Sequence, residues 1–159
     1  MAKREPIWVI GWREWVALPD LDVPAIKAKI DTGARSSALH AFNVEPFRRG
    51  DKHMVRFEVH PLQRGDHDAV SAEAELIGNR LIRSSNGHEE LRPVVGMTVR
   101  LLNREWEIEL TLTNRDEMGF RMLLGREALR NRFLVDPGKS FQAGRPIRKR
   151  RVKTKKEKA

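Results

Sequence analysis

The chain of 159 residues contains no cysteine, which excludes disulfide bonds and thiolate metal sites. No apolar run approaches the length of a membrane-spanning helix, and the segment from Met1 to Pro6 lacks the apolar stretch of a signal peptide. No segment matches the glycine-rich loop that binds nucleotide phosphates, so nothing predicts the use of ATP. We therefore expect a cytoplasmic protein without membrane contacts. A hydrophobic content of 40% predicts one compact domain.

The net charge of +9 is concentrated at the C-terminus. Residues 144–159 hold nine Lys or Arg and one Glu, which leaves a charge of only +1 for residues 1–143. A run of like charges cannot bury apolar area, so we predict a folded domain over 1–143 and a disordered basic tail over 144–159. The alternative function for this tail is an electrostatic arm that contacts a ribosome or RNA, with strongly salt-dependent binding.

Alternation of apolar and polar residues dominates the folded part, as is typical of half-buried strands. The only good helix candidate is Arg126–Arg132, of about two turns. The pattern therefore predicts a mainly β fold with one short C-terminal helix. Strands are predicted in Ile7–Ile10 and Trp12–Leu18, which would form a hairpin around Gly11, and in Ile26–Asp31, Val55–His60, Ala72–Leu81, Leu91–Val95, Thr98–Leu102 and Glu105–Leu112.

The most informative segment is Ala28–Ala34, where an apolar strand ends at Asp31 and a Thr–Gly turn follows. An Asp–Thr–Gly triplet alone is weak evidence for a functional site, because turns favour Asp and Gly for local reasons. A second block of the sequence strengthens this evidence. About ninety residues later, Phe120–Leu129 combines an apolar strand, Gly125–Arg126 and a helical stretch.

In this order the two blocks resemble the retropepsin-like aspartic proteases. The resemblance implies an acid-protease closed β-barrel that works as a homodimer, because each chain supplies one carboxylate and hydrolysis needs two. No internal repeat supplies a second one. By this resemblance Asp31, Thr32 and Gly33 form the catalytic turn. The residues that support it structurally are Leu124, Gly125, Arg126 and Glu127.

A narrower resemblance rests on the segments Asp31–His40, Arg83–Gly87, Arg92–Val95 and Leu123–Arg126. They look like the RimB-like bacterial family labelled ATP-dependent zinc proteases, whose members are often found beside RimK-type glutamate ligases. One member is described as acting on the oligoglutamate tails of a ribosomal small-subunit protein. The resemblance thus implies an acidic peptide or a polyglutamylated ribosomal protein as the substrate.

We expect no cofactor, in spite of the zinc label. The chain has five histidines, but none belongs to a His-Glu-x-x-His motif. His60, Asp66, His67 and Asp68 lie close in sequence and are compatible with an adventitious metal site on a loop.

One departure from the retroviral pattern concerns Arg35, since retroviral enzymes have an acidic residue there that pairs with the Arg of their Gly–Arg block. That ion pair cannot form here, and Glu127 is the candidate to accept Arg35 instead. A guanidinium in the cleft would suit a carboxylate-bearing peptide, although Arg35 as ordinary surface charge is an equal alternative.

The polar segment Arg83–Arg92 contains an Asn–Gly hairpin signal and is a flap candidate, in competition with the loop Pro61–Val70. Three functions remain open: an aspartic endopeptidase, a non-catalytic binding module of the same fold, and a ribosome or RNA binder that uses the tail. The predicted substrate-binding residues are Ala34, Arg35, Arg83, Asn86, Gly87 and Arg92.

Overall fold

The computed structural model describes residues 6–62, 69–84, 86–114 and 119–145. Within these ranges the chain is mainly β with one short helix, which confirms that part of the prediction. The strands are β1 (Trp8–Ile10), β2 (Arg13–Leu18), β3 (Val23–Asp31), β4 (Ser37–His40), β5 (Phe42–Arg49), β6 (Lys52–Val59), β7 (Val70–Arg83), β8 (Glu89–Leu101), β9 (Arg104–Thr113), β10 (Met122–Gly125) and β11 (Phe133–Val135), and the helix is α1 (Arg126–Leu129).

Among the described residues, nine strands form one mixed sheet in the order β2-β3-β10-β4-β9-β8-β7-β6-β5. Ala17 of β2 also pairs with Arg100 of β8, so the first strand of this order contacts the sixth. The strands β1 and β11 form a separate parallel pair. Fully buried apolar side chains from the central strands form the core, among them Ile26, Leu39, Leu110 and Leu124.

The alternating segments fold as predicted. In β3, residues Ile26, Ala28 and Ile30 are buried, while Lys27 and Lys29 between them are partly exposed. The strand prediction for Ala72–Leu81 is also confirmed, since the whole segment lies within β7.

The predicted hairpin around Gly11 is wrong. The strand β1 pairs in parallel with β11, and Gly11 leads directly towards β2. The glycine serves a close approach rather than a turn, because a Cβ atom at Gly11 would lie 2.1 Å from the carbonyl oxygen of Lys139. Sequence periodicity carries no information about this distant contact.

Two further boundaries differ from the prediction. The segments predicted as two strands, Leu91–Val95 and Thr98–Leu102, form the single strand β8, which passes through Gly96 and ends at Leu101, one residue before the predicted end. The helix ends at Leu129 instead of Arg132. Arg130 leaves the helical conformation and Asn131 adopts a φ of 65°, which turns the chain into β11.

Almost all of the predicted basic tail, residues 146–159, lies outside the described residues. In the part of the chain that the structure describes, no helix is long and apolar enough to span a membrane.

Candidate active site

The end of β3 is held from both sides just before Asp31. On one side β10 runs parallel, so that Ile30 pairs with Leu124 and Asp31 with Gly125. On the other side the backbone amide of Ile30 donates a hydrogen bond of 2.8 Å to the carbonyl of Trp12. The strand therefore presents the Asp31 side chain from a fixed position, with Leu124 and Gly125 of β10 beside its last two residues.

The carboxylate of Asp31 is anchored by its own loop. Its Oδ1 atom accepts hydrogen bonds from the backbone amides of Gly33, at 2.9 Å, and Ala34, at 3.2 Å. This local turn fixes the orientation of the carboxyl group. Thr32 and Gly33 are exposed, and no described residue donates a hydrogen bond to Oδ2. The loop thus fixes Oδ1, while Oδ2 can interact with solvent or a ligand.

Gly125 locks the segment that follows the turn. Its amide donates a buried hydrogen bond of 3.0 Å to the hydroxyl of Ser37, and a Cβ atom here would lie 2.5 Å from the carbonyl oxygen of Ser36. Only glycine fits this approach of two backbones. Ser37 was not among the sequence-predicted site residues. The signal that could have revealed it is a hydroxyl residue shortly after the Asp–Thr–Gly turn, where a neighbouring strand end needs an acceptor.

Arg126 contacts the Asp31–Ala34 loop in two places. Its backbone amide donates to the carbonyl of Ala34 at 2.7 Å, and its guanidinium donates to the carbonyl of Thr32 at 3.1 Å. The arginine thereby bridges the start of α1 and the Asp31–Ala34 loop. This contact supplies a physical role for the Gly–Arg pair that the sequence singles out.

The side chains of Arg35 and Glu127 do not form an ion pair in the described part of the chain. Their link is a backbone one, in which the Glu127 amide donates to the Arg35 carbonyl at 3.2 Å. The Glu127 carboxylate instead accepts a hydrogen bond of 3.1 Å from Arg130, one turn away on the same segment. The Glu127 carboxylate is therefore paired with Arg130 of its own segment, and the Arg35 guanidinium can bind a different partner.

A cavity of about 420 Å³ lies next to this loop. Its walls come from the segment after the Asp31–Ala34 loop, from β7, from β9 and from the α1 region, and they carry both signs of charge. The lining residues that bear charge are Arg35, Arg80, Glu107, Glu109, Glu127 and Arg132. Arg80 of β7 and Arg132, between α1 and β11, were not predicted as site residues, because a charged side chain on the surface gives no sequence signal for a cavity.

The flap candidate Arg83–Arg92 forms the tip of the long hairpin made by β7 and β8. The hydroxyl of Ser84 donates to the Asn86 side-chain carbonyl, and Gly87 adopts a φ of 87°. Asn86 and Gly87 are both exposed at the tip. Residues 63–68 of the competing loop Pro61–Val70, and residue 85 in the tip, lie outside the described residues.

The two arginines of this hairpin differ in accessibility. Arg83 has a side chain that is 72% exposed and pairs with Glu89 at 2.8 Å. Arg92 has a side chain that is only 3% exposed and pairs with Glu90 at 3.1 Å. In this conformation Arg83 is accessible to a ligand, whereas Arg92 is held within the fold.

Among the described residues, no group of three or more His, Asp or Glu side chains is arranged to hold a metal ion. The buried ring of His40 uses both nitrogens for protein contacts, with the Asn114 carbonyl at 2.8 Å and the Arg121 guanidinium at 2.7 Å. The predicted adventitious site depends on Asp66, His67 and Asp68, which lie outside the described residues.

The chain is similar both to curated protein sequences and to a solved structure. Two curated relatives are named probable alpha-L-glutamate ligase. The one from Shewanella pealeana is 50% identical over 137 residues, and the one from Desulfotalea psychrophila is 43% identical over 129 residues. The matches cover 86% and 81% of this chain but 30% and 28% of those proteins. The chain therefore spans less than a third of the length of these relatives.

This chain is also similar to a crystal structure of a Legionella pneumophila protein of unknown function. It shares 30% sequence identity with a TM-score of 0.72, covering 86% of this chain and 98% of that one. A family model described as the retropepsin-like aspartic endopeptidase RimB matches residues 9–146, which include the Asp31 turn, the hairpin and the Gly125–Arg126 block. The chain therefore belongs to the RimB-like family of retropepsin-like aspartic endopeptidases.

Proposed function

We propose that the chain is an aspartic peptidase that acts as a homodimer on acidic, oligoglutamate-bearing peptides. The observation that carries the proposal is the carboxylate of Asp31, anchored through one oxygen by the Gly33 and Ala34 amides at an exposed turn. In hydrolysis of this type one carboxylate takes a proton from water while a second, protonated one polarises the scissile carbonyl. The Asp–Thr–Gly triplet occurs once in the sequence, so a second copy of the chain would supply the partner.

The outer face of the β1–β11 pair supports dimerisation. Val9 and Leu134 are direct partners across the two strands and are 48% and 60% exposed, and the neighbouring Ile7 is 52% exposed. Contiguous exposed apolar side chains are typical of protein contact surfaces. The closed β-barrel of the retropepsin-like fold belongs to the same proposal, and the contact between β2 and β8 supports it.

Each residue of the site then has a role. Asp31 would exchange protons with water and substrate, Thr32 would join the two loops beneath the carboxylates, and Gly33 would allow close approach. A Cβ atom at Gly33 would lie 3.2 Å from Oδ1 of Asp31 and would crowd the carboxylate. Arg126 would keep the turn in place through the Thr32 carbonyl.

An acidic substrate is supported by two observations. Arg35 follows the catalytic turn, and its guanidinium has no hydrogen bond or ion pair among the described residues. The curated relatives named probable alpha-L-glutamate ligase indicate that chains of this kind occur together with glutamate chemistry. We therefore favour peptides with several Glu residues, including polyglutamylated ribosomal protein tails. The basic tail would supply a ribosome or RNA contact for such a substrate.

A second candidate function is a non-catalytic module that binds glutamate polymers. The observation in its favour is the match to a part of proteins named as ligases, where binding without cleavage would suffice to hold a product. In that case Asp31 would contribute to the shape of a binding loop only.

The deciding experiment is incubation of the purified chain with a peptide that ends in several Glu residues, followed by mass spectrometry of the products. Asp31→Asn is the matched control, because the amide oxygen keeps the two loop hydrogen bonds while the proton-accepting carboxylate is lost. We expect cleavage by the wild type and a loss of at least about 100-fold in the variant. Binding of the peptide without cleavage by either protein would favour the non-catalytic module.

A further inference from the structure

The cavity beside the catalytic turn joins two elements of the proposed site. Arg35, Ser36 and Ser37 contribute from the segment directly after the turn, and Arg80 contributes from the stem of the β7–β8 hairpin. A volume of about 420 Å³ is at the small end for a ligand site and suits one or two peptide side chains. The cavity therefore lies where a substrate held between hairpin and loop would place a side chain.

The distance along the chain indicates which part of a substrate reaches it. Arg35 follows Asp31 by four residues, so their backbones are at most about 14 Å apart. An extended peptide advances about 3.3 Å per residue. A side chain within about four residues of the cleaved bond can thus reach the cavity.

Some of the charged residues that line the cavity already have an ion-pair partner among the described residues, and others do not. Glu109 pairs with Arg80 at 3.0 Å, and Glu127 pairs with Arg130, which is not part of the lining. Arg132 lies over the ring of Trp106, with its guanidinium carbon 5.5 Å from the ring centroid. Two of the three lining glutamates are therefore already paired, one of them with Arg80. The remaining lining charges are those of Arg35, Arg132 and Glu107, which sum to one positive charge and favour an anionic ligand.

The pair between Arg80 and Glu109 is suited to exchange. Both side chains are close to half exposed, at 42% and 48%, and ion pairs of this exposure contribute little to stability. An incoming carboxylate can replace Glu109 on Arg80 at small cost. Arginine is the residue that binds carboxylates most specifically, through two parallel hydrogen bonds.

We infer that this cavity is a carboxylate subsite, in which Arg35 and Arg80 bind a glutamate side chain of the substrate and Glu109 competes with it for Arg80. The inference rests on the proposed peptidase function and names two residues, Arg80 and Glu109, that set substrate preference. It also predicts opposite effects for the two partners of one ion pair. Removal of Arg80 weakens binding of an acidic peptide, whereas neutralisation of Glu109 strengthens it.

The test uses direct binding, so that it does not depend on turnover. In the Asp31→Asn background, the affinities for a Glu-rich peptide and its Gln-rich counterpart are measured by fluorescence anisotropy. We expect Arg80→Gln to reduce the preference for the Glu-rich peptide by about tenfold, and Glu109→Gln to increase it several-fold. Added salt reduces the preference in all proteins that show it.

The matched controls are Arg100→Gln and Glu105→Gln. These residues form an ion pair on the β8–β9 hairpin with similar exposure, 52% and 47%, and do not line the cavity. Neither should change the preference. Equal preference in Arg80→Gln, Glu109→Gln and the background protein would overturn the subsite, as would weaker binding in both cavity variants. If the wild type cleaves acidic peptides, the proposed peptidase function stands whatever the binding measurements show. If the affinities shift as expected but no peptide is cleaved, only the peptidase function is refuted.

Discussion

The carboxylate of Glu14 is fully buried and accepts a hydrogen bond of 2.7 Å from the backbone amide of Gly11. The same carboxylate accepts hydrogen bonds of 3.0 Å from the amides of Gln142 and Ala143. Glu14 therefore fastens the C-terminal segment to the start of β2. Trp12 lies between Gly11 and β2, and its carbonyl accepts the hydrogen bond from Ile30, next to Asp31. The contacts of Glu14 therefore also support the end of β3 that carries Asp31.

The first prediction concerns the stability that Glu14 provides. Glu14→Ala leaves three backbone amides without their acceptor; the hydrogen bond from Gly11 is buried and those from Gln142 and Ala143 are partly buried. An unsatisfied buried donor costs about 1–3 kcal/mol. We expect the free energy of unfolding to fall by about 3 kcal/mol, measured by denaturant titration. Glu105→Ala, an exposed residue of β9, is the control and should change stability by less than about 0.5 kcal/mol. Equal stability of the two variants would contradict the role of Glu14.

A second prediction concerns the close contact at Gly125. Gly125→Ala places a methyl group 2.5 Å from the Ser36 carbonyl oxygen, so the backbone after the Asp31–Ala34 loop must shift. We expect a loss of about 3 kcal/mol in stability together with a loss of the proposed peptidase activity. Gly78→Ala in β7 is the control, because no atom of the described residues lies within 4 Å of a Cβ there. If Gly125→Ala behaved like Gly78→Ala in thermal melts, the close approach would not exist in solution.

Much of this fold could be predicted from the sequence, because the signals are local. Strand alternation such as that of Ile26, Ala28 and Ile30 follows directly from which side chains are buried on one face of a sheet. The Asp31 turn was recognisable because its residue types are dictated by hydrogen bonds within four residues.

The parts that sequence missed depend on distant contacts. Gly11 is required by the carbonyl of Lys139, and Ser37 by the amide of Gly125. A pairing between residues about ninety or more positions apart leaves no periodic trace in one sequence. The same holds for Arg80, whose place in the cavity arises only when β7 packs near the loop that follows Asp31.

A third prediction concerns acid conditions. The hydrogen bond from Arg49, and then that from Arg56, lowers the pKa of Glu73 on the β5–β6–β7 surface. A carboxylate whose pKa is lower in the folded state adds stability above its unfolded value of about 4.3, and this is lost as the pH falls through the folded value. Glu73→Gln should therefore melt slightly below the wild type at pH 7, and the gap should close as the pH falls below about 4.

The control for this prediction is Glu75→Gln. Glu75 is exposed on the same strand and has no ion pair among the described residues. Its melting difference from the wild type should be the same at both pH values. A constant gap for Glu73→Gln across the acid range would contradict the coupling between Glu73 and its two arginines.

A fourth prediction follows from the surface formed by Ile7, Val9 and Leu134. If these exposed residues contact a second copy, Leu134→Asp introduces a charge that dimer formation would have to desolvate. We expect the variant to sediment as a monomer at concentrations where the wild type is a dimer, and to lose activity in proportion. Leu62→Asp, at a similarly exposed leucine, is the control and should leave the sedimentation unchanged.

The last prediction is that one active site needs Asp31 from two copies of the chain. Asp31→Asn protein is added to an equal amount of wild type, under conditions where dimers form and exchange subunits. Random pairing converts about half of the wild-type chains into mixed dimers that contain only one carboxylate, by mass action. Since such a dimer lacks one of the two groups that hydrolysis needs, activity should fall to about half of its value before mixing. Addition of the same amount of an unrelated protein controls for dilution. Unchanged activity after full exchange would mean that a single chain is sufficient, and the shared site would have to be abandoned.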